Sequence, residues 1–150
     1  MPVVANRRGL TYVELIIALG ILGVLSGTAA FAYQSVAQDL RLNQAARVVM
    51  LDLTTMRSRA LMENLAQRLV FTPERDSYQA QRQTSKGYQD IGAAIALPAG
   101  VDLVDCTAAG SAVTFRPRGS ASTFGTVILR NVLGRELRVI VDIAGRIRVQ

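Results

Sequence analysis

The residues from Arg7 to Tyr33 constrain this chain most. Between Leu15 and Tyr33 there is neither a charge nor a proline. These 19 residues make about 28 Å of α-helix at about 1.5 Å per residue, close to the roughly 30 Å of a hydrocarbon core. The stretch is therefore expected to cross a membrane once. One carboxylate, Glu14, stands at its head, five residues after Gly9. An ionisable group at membrane depth costs about 2.5–3.5 kcal/mol or more, so a carboxylate there calls for a partner. The other reading of Glu14 places it just outside the core, solvated by headgroups. Arg7 and Arg8 precede the span, which keeps the N-terminus cytoplasmic and sends the remainder across. An ordinary secretory signal has its apolar stretch before the cleavage site and loses it.

The junction reads Arg7-Arg8-Gly9-Leu10-Thr11-Tyr12-Val13-Glu14-Leu15. It resembles the class III signal of type IV pilins and type II secretion pseudopilins. The resemblance implies a leader, residues 1–9, removed by a prepilin peptidase between Gly9 and Leu10, and methylation of the new N-terminus. Leu10 stands where the family usually has Phe. The resemblance also gives Glu14 an assembly role, pairing with the free amine of Leu10 on a neighbouring subunit. Two such charges in lipid are costly apart and tolerable together.

Composition narrows the chemistry. The chain has 150 residues, 17 basic and 11 acidic, no His, no Trp and a single cysteine, Cys106. One cysteine forms no internal disulfide, and its plain reading is a small buried hydrophobe. Without His there is no Ser–His or Cys–His pair and no soft-ligand metal cluster. No catalytic residue, metal or cofactor is therefore assigned, and the chain is not expected to be an enzyme.

No proline occurs between Pro2 and Pro73, so one helix is expected from about Leu10 to about Ala66. Residues 10–33 form its transmembrane half. Gly20, Gly23, Ser26 and Gly27 lie within it, and Gly23 with Gly27 makes a GxxxG pair. These are either the small residues common in any membrane helix or a place for close packing or local unwinding on assembly. Residues 34–66 form an amphipathic half. Leu42, Ala45, Val49, Leu53, Met56 and Ala60 step by three or four, an apolar stripe for packing on a head. Arg41, Arg47, Asp52, Arg57 and Glu63 lie off the stripe.

From residue 67 the periodicity turns to strand type, and 67–150 is read as a β-rich head. Arg68–Phe71, Tyr78–Arg82, Val101–Cys106 and Ala112–Arg116 are expected strands. Residues 83–100 read mainly as loop, and Gly119–Gly125 as a small-residue loop. The C-terminal part is the clearest. If Val132-Leu133-Gly134 and Ile143-Ala144-Gly145 are three-residue hairpin loops, Leu129 faces Leu137, Val127 faces Val139 and Val141 faces Ile147. Every apolar residue then falls on one face, and a slip of one residue destroys the match. The other face pairs Arg130 with Glu136 and Arg146 with Asp142, and leaves Arg138 and Arg148 unassigned. From Gly110 onward there are seven arginines and two acids, a local charge of +5. The fold class is α+β: a long N-terminal helix, half transmembrane and half amphipathic, on an antiparallel head.

Three pieces of the head, Leu97-Pro98-Ala99-Gly100-Val101, Phe115-Arg116-Pro117-Arg118-Gly119 and Gly145-Arg146-Ile147-Arg148-Val149, resemble the GspH/FimT-type minor pilins and pseudopilins. That branch implies a minor subunit that initiates or caps a type IV pilus or a type II secretion pseudopilus. Its partners would be other pilins or pseudopilins, the prepilin peptidase and the inner membrane, with the head in the periplasm. A second reading is a binding module. FimT-like pilins hold DNA through a C-terminal Gly-Arg-x-Arg motif, which Gly145-Arg146-Ile147-Arg148 matches. Arg138, Arg146 and Arg148 would then meet phosphate in a salt-dependent, sequence-independent way. The structural reading of the same residues is a turn glycine followed by a cross-strand partner for Asp142. A bitopic membrane protein unrelated to pili would explain the span but not the spacing of Gly9 and Glu14.

Overall fold

The structure is a computed structural model that describes residues 11–150, apart from the side chains of residues 28–32. Gly9 and Leu10 lie outside the described residues. One α-helix, α1, runs over Tyr12–Glu63. Thr11 caps its start: Thr11 Oγ1 accepts the backbone N–H of Glu14 at 3.3 Å. Asn64 ends it by taking a left-handed φ of 53°, which a short polar side chain tolerates. The helix therefore stops three residues short of the expected Ala66.

Contacts divide the chain after Val36 into two units. In the first, residues 11–27 are exposed throughout. The helix continues unbroken through Gly20, Gly23 and Gly27, and nothing approaches within 4 Å of a Cβ placed on any of them. Ser26 folds its hydroxyl back onto the Leu22 carbonyl at 2.7 Å. Among the described residues no helix is long and apolar enough to cross a membrane. The expected span, Leu15–Tyr33, runs through residues 28–32, whose side chains lie outside the description.

The second unit joins the rest of α1 to ten strands in two antiparallel sheets. These are β1 (Gln67–Thr72), β2 (Ser77–Thr84), β3 (Gly87–Asp90), β4 (Ile95–Ala96), β5 (Val101–Cys106), β6 (Ala112–Phe115), β7 (Ala121–Thr123), β8 (Gly125–Asn131), β9 (Glu136–Val141) and β10 (Ile147–Val149). The first sheet has the order β3-β2-β1-β6-β7, with β4 also on β2; the second has the order β10-β9-β8-β5. The apolar stripe of α1 is buried as expected, from Leu42 to Ala60, and Ala46 joins it. It forms one core with Leu69, Phe71 and Phe115 of the first sheet and Leu103, Leu129 and Val139 of the second. Cys106 is buried in the same core, and burial pushes its thiol pKa up.

The meander has the expected register: Leu129 opposite Leu137, Val127 opposite Val139, and Val141 opposite Ile147. Gly134 and Gly145 close its two turns with φ of 82° and 76°. Two expected loops are corrected. Residues 83–100 contain a hairpin, β2 reaching Thr84 and pairing with β3 across a tight Ser85-Lys86 turn, as well as β4. Its residues are mostly polar and exposed, so no apolar alternation marks them. Within Gly119–Gly125, Ala121–Thr123 pairs with β6 at the sheet edge, and only Ala121 of that strand is buried.

Candidate functional site

The site residues expected from the sequence lie at two ends of the chain. At the first, Glu14 is exposed, in the first turn of α1. Its backbone is held by Thr11, which makes Thr11-Tyr12-Val13-Glu14 a capping sequence. A carboxylate in the first turn is also favoured by the helix dipole. Glu14 thus has a local reason to be acidic, besides any pairing with a second subunit.

The second end is the outer face of the β8–β9–β10 meander. Register puts Arg130, Arg138, Arg146 and Arg148 there. Arg130 Nε donates to Glu136 Oε1 at 3.0 Å, and this bond, ahead of every other influence, holds the Glu136 carboxyl below its usual range. Arg138 has a partner after all: its guanidinium lies 3.8 Å from the other oxygen of Glu136. Arg146 lies 3.8 Å from Asp142, whose Oδ1 also accepts the Arg146 backbone N–H at 2.9 Å. Arg148 has no ion-pair partner among the described residues. Arg146, Arg148, Asp142 and Gln150 line a groove of about 140 Å³. The +5 of the C-terminal segment does not become an unopposed positive face. Strand β5 sets Asp102 opposite Arg130 and Asp105 opposite Ile128, so the register places four arginines and four acids on this face. The β5–β8 pairing joins residues far apart in the chain, so nothing local in the sequence marks it.

The three motif pieces of the head do something the sequence did not disclose: each brings a glycine against α1. Gly145 sits in the β9–β10 turn and Gly119 in the β6–β7 turn, and the two meet at Arg57. Arg57 Nε donates to the Gly119 carbonyl at 2.9 Å. A Cβ on Gly145 would fall inside that same carbonyl oxygen and lie 3.2 Å from Arg57 Nε. Ala121 N–H then bonds the Ile143 carbonyl at 3.1 Å, tying the two turns together. Gly100, before β5, lies against Gln38, whose Oε1 would stand 2.9 Å from an added Cβ. Between these contacts the buried Tyr78 hydroxyl donates to Asp52 Oδ2 at 2.6 Å. Burial, then the Asp52 carboxylate, pushes its pKa up, so the phenol stays protonated. Asp52 and Arg57, read from sequence as lying off the stripe, are thus half-buried anchors.

This arrangement is a long helix fixed to two sheets through glycine turns. Residues 45–145 match the family described as type II transport protein GspH. The chain belongs to the GspH family. No curated protein matches the chain. Among solved structures, the GspH-family fold here is similar to the minor pseudopilin EpsH from the type 2 secretion system of Vibrio cholerae. One EpsH structure is 15% identical, covers 75% of this chain and 94% of its own, with a TM-score of 0.63. Another is 13% identical, covers 73% and 96%, and has a TM-score of 0.62. The type IV minor pilin FimU of Pseudomonas aeruginosa is 16% identical, covers 73% and 87%, and has a TM-score of 0.57. The chain therefore has the type IV pilin-like fold of GspH-type minor pseudopilins, helix and antiparallel sheets together.

Proposed function

We propose that this chain is a structural minor subunit of a type II secretion pseudopilus, with no reaction of its own. The family match across the head carries the reading. The N-terminal sequence completes it: a prepilin peptidase cuts between Gly9 and Leu10, and residues 10–33 hold the subunit in the inner membrane with the head in the periplasm. The exposed side chains of Tyr12 to Leu25 support this, since an apolar surface of that extent calls for lipid or neighbouring helices. Glu14 takes the Leu10 amine of an adjacent subunit, and the GxxxG pair lets helices approach. In the native host, Gly9→Val should remain uncut on a mobility gel. Glu14→Ala should be cut but absent from sheared pseudopilus fractions. Normal cleavage of Gly9→Val would overturn the processing assignment, and full incorporation of Glu14→Ala would remove Glu14 from assembly.

The second reading, a FimT-like DNA-binding minor pilin, is favoured by the groove that Arg146 and Arg148 share. The neighbouring acids oppose it, and Arg148 carries most of what remains. If DNA is captured, Arg146→Ala with Arg148→Ala should abolish a gel shift by the head. Wild-type affinity should fall steeply with salt, with a slope near −0.9 per phosphate contact. A structural subunit should give no shift at about 100 mM salt, where the Debye length is about 10 Å.

A further inference from the structure

The β8–β9 turn carries two adjacent apolar residues where turns favour Gly, Pro, Asn, Asp and Ser. Val132 is 63% exposed and Leu133 59%. The turn is nevertheless built to stay in place. The Asn131 side chain is buried, and its Oδ1 accepts the backbone N–H of Leu133 at 3.0 Å and of Arg135 at 2.9 Å. Its Nδ2 donates to Asp39 Oδ1 at 3.0 Å, and the Arg135 guanidinium bonds Asp39 Oδ2 at 2.6 Å. Five hydrogen bonds, counting Gly134 N–H to the Asn131 carbonyl, thus fix two apolar side chains pointing into water beside one residue of α1.

The position of Asp39 says what they meet. It is six residues from Tyr33, the end of the uncharged run, and six residues span about 20 Å at most even when fully extended. A lipid surface at Tyr33 is therefore no more than about 20 Å along the chain from Asp39, the residue that holds the turn. Arg135, exposed in the same turn, brings a charge that headgroup phosphates attract. We infer that Val132 and Leu133 are a second lipid contact, a hairpin tip that dips into the outer, periplasmic-side interface next to the helix. This inference rests on the membrane anchoring proposed above.

The absence of tryptophan makes the test direct, because one added indole reports one position. Full-length Leu133→Trp, Val132→Trp, Leu22→Trp and Ile143→Trp are each reconstituted in vesicles of phosphatidylethanolamine and phosphatidylglycerol with brominated acyl chains. Ile143 is as exposed as the tip but belongs to the turn at Arg57, eighteen residues further along α1 than Asp39. Leu22→Trp reports the anchor itself. Leu133→Trp and Val132→Trp should lose most of their emission to bromolipid, as Leu22→Trp does, while Ile143→Trp stays bright and open to aqueous iodide. Quenching of Leu22→Trp with both tip variants bright and iodide-accessible would overturn the inference and leave the anchor standing. Tip variants shielded from iodide yet bright in bromolipid would also overturn it, pointing to burial against a second subunit. An unquenched Leu22→Trp would overturn the anchoring, and the inference with it.

Discussion

Replacing Leu53 with aspartate should unfold the head. Leu53 is fully buried in the middle of the α1 stripe and belongs to the core that both sheets share. Truncating a buried leucine to alanine already costs about 2–5 kcal/mol. A carboxylate there adds the cost of an unpaired charge out of water, and the total approaches the roughly 5–15 kcal/mol that holds a domain together. The neighbouring Leu51 is 59% exposed and serves as the control. In a chain lacking residues 1–33, Leu51→Asp should melt within a few degrees of wild type and Leu53→Asp should show no cooperative transition. The unit from Ala37 to Gln150 contains every residue of the core, so this shortened chain keeps what the test needs. Equal melting of the two variants would mean that the stripe faces water.

The second large effect belongs to Gly145. Its φ of 76° strains any other residue, and an added Cβ meets the backbone oxygen of Gly119. Backbone cannot step aside as a side-chain tip can. Gly134 closes the preceding turn of the same meander with φ 82° but has nothing within 4 Å of an added Cβ. Gly134→Ala should therefore cost only the left-handed strain, about 1–2 kcal/mol. Gly145→Ala should add the overpacking cost of about 1–3 kcal/mol and weaken the Arg57 bond. Urea midpoints of the two variants measure the difference. Equal midpoints would show that the turn at Gly145 is free of Gly119 and Arg57. The comparison also bears on the Gly-Arg-Ile-Arg motif: its glycine has a packing role at the helix that is independent of any ligand.

The meander was legible because three signals agreed there: alternating apolar residues, glycines at left-handed turn positions, and charges that paired across strands. The α1 stripe was legible for the same reason, an unbroken period on a proline-free stretch. Strand β2 was expected over Tyr78–Arg82 and is found there, but its partner β3 was not legible, because Gly87-Tyr88-Gln89-Asp90 at the sheet edge has no apolar period. The partners of Asp39, Asp52 and Arg57 were also hidden. Each joins the helix to a residue 26 to 96 positions away, and nothing local in the sequence marks such a contact. The basic C-terminus was visible as composition, while the acids of β5 that offset it become neighbours only through sheet order. At the N-terminus, Glu14 was singled out for its charge, and the structure adds the Thr11 cap that the sequence reading had not used.

Gly9, Leu10 and Glu14 carry the central claim, and the most direct measurement is the intact mass and N-terminal sequence of the protein purified from its host membrane. The account predicts a chain beginning at Leu10, shorter by residues 1–9 and heavier by one methyl group on the new amine. A chain that still begins with Met1, or one cut beyond Tyr33 so that the apolar half is lost, would contradict it.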